Sequence, residues 1–262
     1  MIKRKTSGKR YRLIRMLKLA SLILLGLLVG LVGYEGIMLA RVARLRSGNP
    51  VSTSLIDARS DEATGRGQQP RREQVWVPLE RISTNLQRAV LAGEDTNFTT
   101  HHGFDYQAIQ KAWDQGQREA AREAKNEGEN DDWIPNLPDF RRGGSTITQQ
   151  LAKNLYLSSE RSFVRKGQEA VLTVFLERLL TKKRILEIYL NVIEWGDSIY
   201  GAEAAAQHYF HKPAASLSTG EAAFLSAMIP NPRTVFNPQT NPRRVARRQR
   251  IIMRGMPYVA VP

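Results

Sequence analysis

Three short stretches of this chain are dense enough in charged and hydrogen-bonding side chains to do chemistry. The first, EDTNFTTHHGFD (Glu94–Asp105), gathers three acids, two histidines and a glycine within twelve residues. Charge this dense near a helix end also serves capping and turns, and that reading stands beside the chemical one. Chemistry is favoured by the approach to Glu94. Leu86, Ala89 and Val90 recur at helical spacing and lead into it, so the helix presses a carboxyl against a low-dielectric surface and raises its pKa toward the range useful for proton transfer. His101 and His102 have no cysteine and no other nearby histidine to complete a closed zinc site.

The second stretch is GGSTITQQLAKN (Gly143–Asn154). Its paired glycines allow close backbone approach. Ser145, Thr146 and Thr148 with Gln149 and Gln150 offer an uncharged hydrogen-bonding surface suited to sugar hydroxyls and phosphates. Lys153 adds a cation one turn after Gln149, and a glycine turn with a Ser/Thr cap is part of the same signal. In the third stretch (Arg161–Asn191), Arg161, Arg165, Lys166 and Glu169 fall near one helical face. Such a cluster is either a surface ion-pair ladder or what a departing diphosphate needs.

The elements that must position these groups read as helices. Residues 145–191 look like two long helices joined near Ser158–Ser162, the second running from about Phe163 past Arg178. Gly201–Phe210 and Thr219–Ile229 are shorter ones, the latter with Thr219 as cap. Residues 46–75 are polar and aperiodic and read as a linker, and Gly116–Pro138 reads as a polar excursion ending in turn chemistry. Few period-2 runs occur. The body is therefore mainly α-helical.

Upstream, Leu19–Tyr34 is a run of sixteen uncharged, mostly apolar residues extending through Glu35 to Ala40. At 1.5 Å per residue, Leu19–Ala40 spans roughly 33 Å, enough to cross a bilayer. Glu35 is expected at the outer interface. Eight positive charges precede the run, against Arg41, Arg44 and Arg46 after it, favouring a cytoplasmic N-terminus and an exported body. Ala40–Ala43 makes a poor cleavage site, so an uncleaved anchor is expected. The net charge of +14 falls to +6 once these eight are set aside, which removes the case for nucleic acid. A second basic group (Arg243, Arg244, Arg247, Arg248, Arg250, Arg254) reads either as a solvated face or as a contact with anionic lipid or phosphate. The 42% hydrophobic content allows a real core, and the absence of cysteine leaves the redox compartment open.

Taken together, EDTNFTTHHGFD, GGSTITQQLAKN, RKGQEA (Arg165–Ala170), KKRILEIYLN (Lys182–Asn191) and GAEAAAQHYF (Gly201–Phe210) closely resemble the motifs of the peptidoglycan glycosyltransferase family (glycosyltransferase family 51), over about Trp76–Pro238. The resemblance implies a lysozyme-like, two-lobed helical domain over 76–262, with a small membrane-facing jaw at 106–142. Before it come a basic cytoplasmic tail (1–18), the anchor (19–40) and a linker (41–75). No Ser-x-x-Lys with transpeptidase companion motifs is present, so the monofunctional form is expected.

By position, the resemblance makes Glu94 the base that takes a proton from the acceptor's 4-hydroxyl. Glu169 becomes the second acid, near a departing undecaprenyl diphosphate. The reaction it implies is inverting β-1,4 polymerisation of lipid II. Lys153, Arg161, Arg165 and Lys166 match phosphate-side cations, and Ser145, Thr146, Gln149 and Gln150 match the cleft lining. Asp95 and Phe98 belong to the first motif and are carried as substrate-side positions with a structural alternative. No obligatory cofactor is implied, although a divalent ion, Mg2+ or Mn2+, assists at the diphosphate in some members. The implied partners are lipid II, the lipid-linked growing chain, the bacterial inner membrane and wall-synthesis or division proteins. Residues 114–142 are more polar and longer than the resemblance leads one to expect, which opens that insert to protein contact. A glycan-cleaving enzyme and a non-catalytic scaffold are the competing readings, and the second acid among cations argues against the former.

Overall fold

A computed structural model describes residues 6–127, 144–158, 160 and 162–262. Among these, ten α-helices carry the fold, as expected from the scarcity of strand patterns. They are α1 (Thr6–Arg44), α2 (Ser54–Gly65), α3 (Thr84–Glu94), α4 (Tyr106–Glu127) and α5 (Ile147–Tyr156), followed by α6 (Phe163–Leu179), α7 (Lys182–Val192), α8 (Ala202–Phe210), α9 (Thr219–Met228) and α10 (Pro242–Gly255). A small sheet of β1 (Glu73–Gln74), β2 (Glu194–Gly196) and β3 (Ile199–Tyr200) has order β1-β3-β2, with β1 parallel and β2 antiparallel to β3.

Two helix groups build the core. In one, α3 packs against α9 and α10. Small residues on α9 (Ala222, Ala223, Ala227) are fully buried and let the axes approach. Gly93 continues this contact: a Cβ there would lie 2.8 Å from Ser226 Oγ, whose hydroxyl donates to Ala89 O at 2.8 Å. In the other group, α5 packs on α6 and α7 through buried Ile147, Leu151, Leu172, Leu176, Ile185 and Tyr189. The end of α3 lies where the two groups meet.

Four features differ from the sequence reading. The stretch 145–191 holds three helices rather than two, because Thr181 accepts from Arg184 N at 3.2 Å and starts α7 just after α6 ends. Part of the supposed linker folds as α2, capped by Thr53. That helix is polar nearly all round, and it is held by Ile56 in the core and by ion pairs from Arg59 to buried Glu194 (2.8 Å) and from Arg233 to Glu62 (2.8 Å). Periodicity could not register these tertiary partners. The helix of the proposed jaw continues through Glu127, so the first part of the polar excursion is α-helical; the rest, 128–143, lies outside the described residues. At α9 the cap is Ser218, one residue before Thr219, in a capping box with Glu221.

The apolar run forms the middle of α1, and the stretch Ile14–Arg44 is long and apolar enough to cross a membrane. Its large apolar side chains from Leu17 to Val32 are exposed, whereas Met38, Val42 and Leu45 are buried in the head's core. Arg184 fastens this junction by donating to Leu45 O (2.8 Å) and Gly48 O (2.7 Å). The helix thus has a bare apolar stretch of membrane-crossing length at one end and a core element at the other. Val42→Asp would bury an uncompensated charge; a large drop in the thermal unfolding temperature of the detergent-solubilised protein is the expected outcome, and an unchanged temperature would show that the junction is not part of the folded core.

Candidate active site

Glu94 is the last residue of α3, and its side chain is 9% exposed. Each carboxylate oxygen has a partner from a different helix. Arg248 Nη2 on α10 donates to Oε1 at 2.6 Å, and Gln150 Nε2 on α5 donates to Oε2 at 2.9 Å. The orientation of the Gln150 amide follows from a fourth helix, because Tyr189 OH on α7 donates to Gln150 Oε1 at 2.8 Å. Burial, with Glu94 and Asp95 nearby, raises the Tyr189 pKa well above its ordinary value, so the phenol stays a donor. The Glu94 carboxyl is also raised: burial is the main cause, Arg248 and Gln150 oppose it, and Asp95 adds to it. A buried carboxylate held by one cation and one amide is a stronger base than a solvated one, and it keeps lone pairs for a substrate hydroxyl.

Glu169 on α6 is only 3% exposed, and both its oxygens are taken: Arg165 Nη1 donates to Oε2 at 2.9 Å, and Lys166 pairs with Oε1. It holds two cations in place. Lys153 lies on α5, which also carries Gln150 and packs on α6. It is open to solvent, and desolvation by the protein around it lowers its pKa, opposed by Glu169 and Glu94 and reinforced by Arg165 and Lys166. Arg161, the remaining expected cation, lies outside the described residues.

The other expected residues separate into lining and frame. Glu94, Asp95, Thr96, Ser145 and Thr146 line a cavity of about 200 Å3, with Ser145 exposed. Thr146 and Gln149 form the capping box of α5, an arrangement worth about 1 kcal/mol. Asp95 is fully engaged: Oδ2 accepts from Ile147 N at 2.9 Å, and both oxygens lie within 3.0 Å of His101 Nε2. His101 Nδ1 accepts from Gly103 N at 3.1 Å, which assigns the ring proton to Nε2. Phe98 is buried beneath the Lys182 ammonium, 4.4 Å from its ring centre. Asp95 and Phe98 therefore tie the first motif to the second and fourth, and Phe98 does not reach the cleft.

Sequence reasoning did not single out Arg248 or Tyr189. A signal for Arg248 existed: Val245 and Ile252 are the buried residues of α10, and Arg248 falls between them at the i+3 position of the same face, where a cation must find a partner. Arg248 also donates to Gly93 O at 3.0 Å and lies 5.5 Å from the Phe236 ring centre. Glu94 and Glu169 have their oxygens occupied by protein donors, and no group of three or more His, Asp or Glu converges among the described residues. Among the described residues, the side chains as arranged do not form a cage for a divalent ion.

Gly103 makes the frame sensitive to a single methyl group. Its φ is +93°, a Cβ would lie 2.7 Å from Thr173 Cγ2 on α6, and its carbonyl accepts from Thr146 Oγ1 at 2.7 Å. Gly103→Ala should destabilise the protein by about 1–3 kcal/mol, read as a lowered unfolding temperature; a change within error would show that this turn can relax.

A family model described as transglycosylase matches residues 61–128 and 133–257. Proteins named biosynthetic peptidoglycan transglycosylase are similar along most of their length. The one from Laribacter hongkongensis is 44% identical over 214 residues, 82% of this chain and 86% of that protein. The one from Thiobacillus denitrificans is 52% identical over 187 residues, 71% of this chain and 72% of that protein. The one from Bordetella avium is 40% identical over 240 residues, 92% of this chain and 94% of that protein. With this similarity over nearly the whole head, the chain belongs to the transglycosylase family, as a peptidoglycan glycosyltransferase.

Proposed function

We propose that this enzyme polymerises lipid II into linear glycan strands, with Glu94 as the base and the cations gathered by Glu169 as the receiver of the leaving diphosphate. The observation that carries this reading is the buried Glu94 carboxylate, held by Arg248 and by Gln150 of α5, with α5 packed on α6, where Glu169 holds Arg165 and Lys166. An inverting transfer needs one base at the attacking oxygen and positive charge at the departing one, with no enzyme nucleophile between them. Glu94 takes the proton of the acceptor 4-hydroxyl as its oxygen attacks C1 of the lipid-linked donor. The C1–O bond to the diphosphate breaks on the opposite face, and the electron pair leaves with undecaprenyl diphosphate. Lys153, Arg165 and Lys166 offset the charge that develops there. Glu169, with both oxygens committed to Arg165 and Lys166, acts as a positioning residue for them.

Arg248 tunes the base. It keeps a carboxylate in a buried place that would otherwise favour the neutral acid, and it holds that carboxylate at the end of α3. The enzyme is placed at the inner membrane by α1, with the basic tail cytoplasmic and the head exported, because the charge imbalance across the apolar run favours that orientation.

With labelled lipid II in detergent, the wild type should make long strands and Glu94→Gln should be slower by on the order of a hundredfold or more. Undiminished polymer from Glu94→Gln would overturn the assignment of the base, and fragments released from finished wall without polymerisation would indicate a cleaving enzyme instead. A pH profile tests Arg248. Activity requires ionised Glu94, so it falls as pH drops through the Glu94 pKa, and burial places that limb above the ordinary carboxylate range. Arg248→Gln removes the cation and should move the acid limb of kcat/KM to higher pH, while Arg248→Lys should move it back. An unmoved limb in Arg248→Gln would mean that Arg248 does not face the working carboxylate.

A further inference from the structure

The anchor and α6 are joined at two tie points. Gln168 Nε2 on α6 donates to Glu35 Oε2 on α1 at 3.2 Å. Arg46, just beyond α1, donates from Nε to the carbonyl of Leu179, the last residue of α6, at 2.9 Å. Eleven residues separate the tie points on each segment. Helices with a common rise per residue, tied at equal intervals, run parallel and in register. Met38, Val42 and Leu45 are buried along this side of the anchor.

Followed toward the start of α6, the same register sets Val164 level with Leu31 and Phe163 level with Gly30. Both levels lie inside the uncharged run Leu19–Tyr34, about 6–8 Å on the bilayer side of Glu35 at 1.5 Å per residue. Phe163 is 88% exposed and Val164 84% exposed. Two bare apolar side chains at a helix start, beside a lipid-facing helix at hydrocarbon depth, have acyl chains as their natural cover. Within the next turn and a half come Arg165, Lys166 and Glu169, level with residues 32–36 of the anchor, which span the end of the apolar run at Tyr34 and lead toward the phosphate groups.

We infer that the first turn of α6 enters the outer leaflet, with Phe163 and Val164 among the acyl chains, so that the anchor sets the height of the Arg165–Lys166–Glu169 cluster at the phosphate level. This rests on the reading of α1 as a membrane anchor. The physical gain is in matching depths. A polyprenyl tail fixes its diphosphate near the headgroups, and a cation cluster held at that depth meets it without lifting the tail from the membrane.

The chain has no cysteine, so single cysteines carry a nitroxide at one site only. Full-length Phe163→Cys and Val164→Cys, labelled and reconstituted in phosphatidylglycerol/phosphatidylethanolamine vesicles, are compared with Leu31→Cys on the anchor and with Tyr258→Cys, which is 89% exposed on the head. Oxygen, which partitions into acyl chains, and a water-soluble nickel chelate are the two relaxing agents. Labels at 163 and 164 should match Leu31→Cys, with an oxygen-to-nickel collision ratio roughly tenfold above that at Tyr258→Cys, the factor that accompanies about 1.4 kcal/mol of partitioning. Labels at 163 and 164 that behave like Tyr258→Cys while Leu31→Cys remains in lipid would overturn the inference alone. Water access at Leu31→Cys would overturn the anchor reading with it, and shielding from both agents at 163 and 164 would assign the pair to a protein contact and also overturn it.

Discussion

The head is arranged around one buried negative charge. A carboxylate withdrawn from water at the end of α3 is costly unless it is paired and hydrogen-bonded. Its partners come from α10 and α5, with α7 orienting the amide of Gln150. Four helices from two packing groups must therefore reach the same point. The small residues of α9 and Gly93 let α3 sit close enough to its neighbours for Arg248 to reach both Gly93 O and Glu94. Stability and chemistry pull in opposite directions here, because the burial that makes Glu94 a better base is also what makes its charge hard to keep.

Around that charge, each motif divides into residues that face the cleft and residues that hold motifs together. Asp95 spends its carboxylate on the first amide of α5 and on His101. Lys182 covers Phe98 and pairs with Glu177 at 2.8 Å, and Glu177 also accepts from Thr148 at 2.6 Å. In the fourth motif, Arg184 fastens the end of α1, and Asn191 pins the segment after β1 by exchanging hydrogen bonds with Val77. Polar residues packed this densely in sequence are not all reacting groups. Most are satisfied by one another, which is the condition for burying them.

Much of this was legible beforehand. The apolar approach to Glu94, the Thr146–Gln149 cap and the cation spacing on α6 are local patterns, and they fold as local patterns do. The start of α7 was missed because its cap, Thr181, lies in a run whose helical periodicity is nearly continuous. The α2 helix was missed because its support comes from Glu194 and Arg233, far along the chain. Arg248 reads like its basic neighbours, as a surface or anion contact, since one sequence does not say which arginine of six faces inward.

By itself, the sequence determined a helical class, a bilayer-length apolar helix and a set of motifs with one acid on an apolar helix and another among cations, because those features depend on spacing along the chain. Only the tertiary structure decided which donors hold Glu94, that both oxygens of Glu169 are taken by Arg165 and Lys166, that Asp95 is engaged by Ile147 and His101, that Phe98 lies buried under Lys182, and that the end of α1 is tied to α6. Each of those depends on which distant helices meet. A carboxylate's partners are fixed by packing across more than a hundred residues of chain, as Arg248 is to Glu94, and no local period encodes that meeting.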